Sequence, residues 1–342
     1  MNISSTHVIH GLKTALAAVL AYATTMLLNL EFGHWAVIST VIVMQIYVAD
    51  SIEMCLYRLS GTTVGAILGV LVLFVTPPNS IFIGVALFMT IGICSFLTRY
   101  KTRYRMAAIT VVIIVMTGID VENIFIFGLF RVFEIAIGIL CAFVISVLVF
   151  PKRRVDVLME RLESQSLECT KKCCVLVDAF ISKQQNVEGT LVDDLVRDVW
   201  ENHSLLQKIN QHEAMIYRKK LNIKFSDKVS LMNRSVEHLR NMVRTLNSLD
   251  DDGYDIIMSP ELKKLAEESG KTLSATMKNE FLVTTNKLEN MVTDLDIKLL
   301  NIRKEGLIRR FDSKKLIQVF SFYSSLQYFA EDILAGAKIC KS

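Results

Sequence analysis

Four ionisable side chains stand inside stretches otherwise almost free of charge: Lys13, Arg58, Arg131 and Glu134. Charged groups are expensive in hydrocarbon and turn toward partners, ion pathways or substrates. Arg58 lies 17 residues before Val75, roughly 26 Å of helix, which sets it near one membrane edge. Lys13 stands the same distance before Leu30 and shares that depth. Arg131 is 19 residues before Phe150, about 28 Å, and so lies at the opposite edge. Glu134 follows it at i+3, on nearly the same face and within pairing reach. A guanidinium binds a carboxylate bidentately, whereas an ammonium acts as a point charge. Such charges inside apolar runs are candidates for a functional site, with Glu134 placed to pair with Arg131. The competing role for Lys13 and Arg58 is to snorkel to lipid headgroups. The run Arg99, Lys101, Arg103 and Arg105, beside Tyr100 and Tyr104, reads as an interfacial anchor.

Catalytic chemistry finds no comparable footing. Gly270-Lys271-Thr272 suggests a phosphate-binding loop, but Leu265 occupies the position of the required first glycine. Cys169, Cys173 and Cys174 can share a helix face, yet no histidine stands at zinc-ligand spacing. His203 and His212, nine residues apart, offer no metal geometry. Neither a Ser/His/Asp nor a paired-carboxylate signature is present. No enzyme activity, cofactor or metal is expected. The seven cysteines form no CxxC pair and no disulfide spacing, and four lie in the charged half, consistent with a reducing compartment. Basic residues there are interleaved with acidic ones, so nucleic acid is not an expected partner.

The elements that must position the four charges follow from composition. Mean hydropathy is +0.40, high for a soluble chain. Residues 1–150 hold seven basic and six acidic side chains, while the remaining 192 residues hold 31 and 28. Thirteen charges are too few to solvate a globular surface, which is typically about a quarter charged. The first half is membrane-embedded and the second faces water: residues 1–151 form a six-helix transmembrane domain and 152–342 a cytoplasmic helical domain. The expected fold is all-α. Apolar runs occupy Gly11–Leu30, Trp35–Val48, Tyr57–Val75, Ile81–Leu97, Tyr104–Gly118 and Ile124–Phe150. A crossing helix needs about 20 apolar residues, so the second and fifth are short. Ala21-Tyr22-Ala23 resembles a cleavage site, but residues 1–12 carry no Lys or Arg, so the first run is expected to remain as a span. With the N-terminus inside, the exterior loops Glu31–His34, Thr76–Ser80 and Ile119–Asn123 lack Lys and Arg. Both termini are then cytoplasmic.

The third run carries Gly61, Gly65 and Gly69, a smooth helix face that lets another backbone approach. It reads as a packing face, with direct contact to substrate as the alternative. The alanine-rich face of the first run (Ala15, Ala18, Ala21, Ala23) is a candidate partner. In the second half, helices are expected over roughly 152–183, 191–220, 226–250, 260–304 and 313–339. Ser259-Pro260 marks a helix start, and the loops Gln184–Thr190 and Asp250–Tyr254 hold Gly and Asp breakers. Phe281, Leu288, Met291, Leu295, Leu299 and Ile302 recur at helical spacing as a bundle face or oligomer seam.

Four strings in order carry a resemblance: His10-Gly11-Leu12-Lys13-Thr14-Ala15-Leu16-Ala17, then His34-Trp35-Ala36-Val37-Ile38-Ser39-Thr40-Val41-Ile42-Val43-Met44, then Arg58-Leu59-Ser60-Gly61-Thr62-Thr63-Val64-Gly65-Ala66, and Arg131 through Pro151. Together they resemble the fusaric-acid-resistance-like, or aromatic acid exporter, family of bacterial inner-membrane proteins. The plant aluminium-activated malate transporters are similar at greater distance. The resemblance implies six spans, a helical cytoplasmic domain and export of aromatic or other organic carboxylic acids. On that reading Lys13 and Arg58 would gather the carboxylate at the inner mouth and Arg131 would hold it near the outer one, with Glu134 either neutralising Arg131 or titrating. It carries the R-x-x-G-T motif onto Arg58, Gly61 and Thr62, and an aromatic at the start of the second span onto Trp35. Some members hold two copies of the membrane unit; one copy here implies a homodimer in membrane lipid. A periplasmic adaptor protein is a further partner left open. A passive anion channel, and a membrane-anchored helical scaffold or sensor that binds a partner protein, are the alternative readings.

Overall fold

The computed structural model describes residues 3–77, 79–119, 121, 123–182, 187–212, 220–248, 258–280, 284–304 and 313–341. These form twelve helices and no strand. They group into two compact units, Met1–Arg154 and Val155–Ser342.

The first unit contains α1 (Ile3–Leu27), α2 (His34–Val43), α3 (Val48–Val75), α4 (Ser80–Leu97), α5 (Arg103–Thr117) and α6 (Ile124–Leu148). Helices α3 and α6 are its centre: α6 packs against α1, α2 and α3, and α3 also packs against α5. Small residues make this contact close. A Cβ on Gly65 would stand 2.5 Å from the Ala107 carbonyl oxygen, and one on Gly61 2.6 Å from that of Arg103. The glycine face of α3 therefore meets α5, not the alanine face of α1. The buried stripe of α1 is Lys13, Ala17, Ala21 and Thr25, one residue per turn, and it turns toward α6 and α2. Leu12, Leu16, Val19, Val85, Phe88, Leu129 and Leu140 are exposed. Large apolar side chains outside and small or polar ones inside invert the order of a soluble domain, as lipid contact requires.

Among the described residues, four helices are long and apolar enough to cross a membrane: Thr6–Leu27 of α1, Val48–Val75, Ser80–Leu97 and Ile124–Leu148. The two runs expected to be short, the second and the fifth, are the ones outside this set. Helix α2 has 10 residues, about 15 Å. It stops because the backbone turns extended at Met44 (φ −65°, ψ 123°). Helix α5, with 15 residues, reaches only about 22 Å. Two other boundaries also move. Helix α1 starts at Ile3 rather than Gly11, and α3 at Val48 rather than Tyr57. Lys13 and Arg58 thus each stand ten residues inside a helix, about 15 Å from its start.

The link after α2 is held by side chains. The Gln45 N–H donates to Ser51 Oγ (3.0 Å), and Ser51 Oγ donates back to the Gln45 carbonyl (3.3 Å). The Val48 N–H donates to the Lys152 carbonyl (3.0 Å), and the guanidinium of Arg154 lies 4.4 Å from the Tyr47 ring while pairing with Asp50. Irregular backbone in an apolar unit needs such partners, because no water replaces them.

The second unit contains α7 (Arg154–Ile181), α8 (Thr190–His212), α9 (Lys220–Ser248), α10 (Ser259–Lys278), α11 (Thr284–Lys304) and α12 (Ser313–Lys341). One apolar core joins them, with Phe180 stacked on Phe322 at 4.0 Å. The helix expected over 260–304 is two helices. Helix α10 ends where Asn279 takes the left-handed conformation (φ 65°), which Asn tolerates better than most residues. Met258 stands at its N-cap position without a side-chain hydrogen bond, so Ser259 is the first helical residue and Pro260 sits in the first turn. Of the expected apolar face, Leu288 and Leu295 are buried, and Met291 and Leu299 pack against the core. Phe281, the Ile302 side chain and much of the two expected loops lie outside the described residues. Gly270-Lys271-Thr272 is mid-helix: Gly270 packs against Thr170, and Lys271 pairs with Glu268. Burial pushes the thiols of Cys169 and Cys173 up, out of the reactive range. Among the described residues no cluster of His, Cys, Asp and Glu has metal-binding geometry.

Candidate functional site

All four charges expected in the spans are buried. Arg58 is 0% exposed and lies on the glycine stripe of α3, enclosed by α2 and α5. Its Nη2 donates to Ser39 Oγ of α2 at 3.4 Å and its Nη1 to the Met106 sulfur of α5 at 3.6 Å. Both contacts are long, and a thioether is a weak acceptor. Nε has no hydrogen-bond partner. One turn further along α3, the buried Thr62 hydroxyl is also without a partner. No carboxylate pairs with Arg58 among the described residues. An uncompensated charge removed from water is costly, by several kcal/mol even after relaxation (roughly, in proteins generally).

Lys13 is 3% exposed. Its Nζ reaches the Ser146 carbonyl at 3.4 Å, in the last turn of α6, where the helix end carries partial negative charge. Lys13 and Arg58 share no hydrogen-bond partner among the described residues.

Arg131 and Glu134 lie on the buried face of α6 at 1% and 2% exposure. Arg131 Nη1 donates to Glu134 Oε2 at 3.2 Å. The other carboxylate oxygen accepts from the Phe32 backbone N–H, also at 3.2 Å. Three rings surround the guanidinium, with its carbon 4.1 Å from the centre of Phe32, 4.7 Å from Phe127 and 5.6 Å from Trp35. Such faces attract a cation more strongly once it is desolvated. Nε and Nη2 are left without hydrogen-bond partners.

Helix α2 connects the two arginines. Trp35 faces Arg131 and Ser39 faces Arg58. Four residues apart, they lie on one side of the helix, separated by about 6 Å along its axis. Helix α2 is fixed to α6 by the Thr40 hydroxyl, which donates to the Gly138 carbonyl at 2.9 Å. A Cβ on Gly138 would fall 2.1 Å from the Ala36 carbonyl oxygen. Helix α2 is thus the element that lines both arginines.

Sequence reasoning missed Phe32, Ser39, Met106, Phe127 and Gly138. The only local signal was the Trp35–Ser39 spacing, with a hydroxyl one turn after the aromatic. The rest arrive by tertiary contact: Phe32 and Arg131 are 99 residues apart.

The chain is similar to known proteins over both units. A UPF0421 protein from Halalkalibacterium halodurans is 25% identical over 208 residues, 61% of this chain and 57% of that one. A protein of Escherichia coli O157:H7 named uncharacterized transporter YdhK is 20% identical over 361 aligned positions, 96% of this chain and 53% of that one. The chain spans just over half the length of these curated relatives. The model of the fusaric acid resistance protein family matches residues 7–198, more than half the chain and every element that lines the buried charges. With its apolar helices, the chain is a multi-pass membrane protein, and it belongs to the fusaric acid resistance protein family.

Proposed function

We propose that the protein is a membrane transporter that exports small organic anions, aromatic carboxylates among them, through its membrane unit. The observation that carries this reading is Arg58: a guanidinium with 0% exposure, two long contacts to neutral acceptors and no carboxylate partner among the described residues. A permanent cation that burial disfavours is retained where a passing anion supplies the missing charge. Ser39 and Thr62 add hydroxyls beside it. The burial of Arg58 also speaks against headgroup anchoring, since a snorkelling side chain reaches outward.

The expected topology remains part of the proposal. Helix α2 plus the four residues Met44–Tyr47 reaches at most about 29 Å, of which the link supplies about 14 Å. That is close to the roughly 30 Å of hydrocarbon. Six crossings then leave both termini on the cytoplasmic side of the inner membrane, with the second crossing broken as in transporters that bind substrate at interrupted helices. An interior negative by about 100 mV favours anion exit by about 2.3 kcal/mol per charge. A homodimer is proposed because some members of the resembled family hold two copies of the membrane unit, while this chain supplies one.

Efflux of a labelled aromatic acid from loaded cells, normalised to protein in the membrane, tests this. Arg58→Gln should abolish efflux and Arg58→Lys should retain a reduced fraction, because the ammonium keeps the charge and loses the fork. Efflux from Arg58→Gln at the parent rate would reject the proposal.

A further inference from the structure

The Arg131 site differs from the Arg58 site in carrying its own anion. Nη1 is engaged by Glu134, but Nε and Nη2 are not engaged. Those two N–H groups form the side edge of the guanidinium, one of the edges that takes a carboxylate bidentately. The edge is buried inside the ring of Phe32, Trp35 and Phe127. Glu31, on the link between α1 and α2, adds negative charge nearby. Glu134 meanwhile does two things with one carboxylate: it holds Arg131 and it accepts the Phe32 backbone N–H.

We propose that Glu134 is a tethered counter-anion, and that a small free carboxylate competes with it for Arg131 inside the aromatic ring. A carboxylate on the Nε–Nη2 edge sets a second negative charge beside Glu134 and weakens its hold on Nη1. A Glu134 side chain that swings away also gives up the Phe32 N–H, which couples anion binding to the link ahead of α2. The site is a self-occluded exit: filled by its own carboxylate between passages, opened by the ligand it resembles. This rests on the reading of the membrane unit as an anion pathway.

The protein carries its own reporter. It has two tryptophans; Trp35 lies in the site, and Trp200 is an exposed residue of α8 in the second unit. In a Trp200→Phe background, Trp35 emission of the full chain in phospholipid nanodiscs is titrated with acetate at constant pH, exchanged for chloride at constant ionic strength. The expected result is a saturable change whose Kd falls at least about tenfold in Glu134→Gln, and which disappears in Arg131→Gln. Glu134→Asp keeps the buried charge while drawing it back by one methylene, so it tests the same competition should Glu134→Gln fail to insert; its Kd should also fall. A Kd in the inserted Glu134 variant equal to that of the parent, or a response that survives Arg131→Gln, overturns the proposal. The efflux test on Arg58→Gln is separate. Lost efflux there with no Trp35 competition rejects the tethered counter-anion alone, and parent-rate efflux with intact competition rejects the pathway reading alone.

Discussion

Each unit buries a cation, and the two treat it differently. Lys228 of α9 is 1% exposed, and its ammonium donates to the Met277 carbonyl at 2.8 Å and to Asn279 Oδ1 at 2.9 Å. These acceptors stand at the C-terminal end of α10, where carbonyls lack helical partners and the dipole favours positive charge. Lys228 is a structural cap. Arg58 is buried as deeply, yet its partners are a hydroxyl at 3.4 Å and a thioether at 3.6 Å. The same burial comes with satisfied donors at Lys228 and unsatisfied ones at Arg58, the contrast expected if the first holds the fold and the second, as proposed, receives a ligand. What holds the membrane unit together is instead backbone laid against backbone at its glycines.

The largest effect expected from this contrast is at Gly138. An alanine there would set its Cβ 2.1 Å from a backbone oxygen of α2, and neither helix can yield without displacing the lining of both arginines. Folded protein in the membrane should fall below about a tenth of the parent level, since overpacking a close contact costs several times RT. Gly92→Ala, where nothing lies within 4 Å, should leave the level unchanged. Detergent-stable protein, measured by fluorescence-detected gel filtration, checks both.

Next comes Lys228→Met. If Lys228 is a cap, its loss strands a buried carbonyl and a side-chain oxygen, and the second unit should lose about 1–3 kcal/mol. Denaturant unfolding followed through Trp200 in a Trp35→Phe background reads this unit alone. A neutral or stabilising result would place Lys228 with Arg58 and erase the contrast.

The smallest effect concerns Glu268, whose carboxylate is held by Lys271 and Lys287 at 2.8 Å each. Burial pushes its pKa up, but the hydrogen bonds and charges of the two lysines outweigh it and hold the value below 4.5. With the folded pKa depressed, the contribution is present above about 4.5 and is lost as pH falls through the folded value. Stability of the second unit should therefore decline less steeply below pH 4.5 in Glu268→Gln than in the parent. At pH 7 the variant should lose only about 0.2–1 kcal/mol, since the lysines are solvent-exposed.

The sequence made the membrane half legible because charge is scarce there, and scarcity alone singled out Lys13, Arg58, Arg131 and Glu134. It concealed the end of α2. No Gly or Pro stands between Val43 and Val48; the break depends on the Ser51 side chain and the Lys152 carbonyl, both supplied from beyond the link. The division of the helix expected over 260–304 was hidden for a related reason. Asn279 adopts φ 65°, and an asparagine inside a periodic stretch is a weaker punctuation than glycine. At the site, charges are visible along the chain, whereas the rings and hydroxyls that complete them come from other helices.

The central claim is that Arg58 is kept at a cost to the fold for the sake of an anion. Its most direct test is the thermal midpoint of Arg58→Met, read through Trp35 in the Trp200→Phe background, with and without an organic carboxylate. Removing an uncompensated buried charge should leave the midpoint unchanged or raise it. In an Arg131→Gln background, which removes the second anion site, carboxylate at 100 times its Kd should add about 2.7 kcal/mol of stability; adding Arg58→Met should abolish that rise. A midpoint lowered by several degrees, with the carboxylate-dependent rise intact, would contradict the account and make Arg58 a structural residue like Lys228.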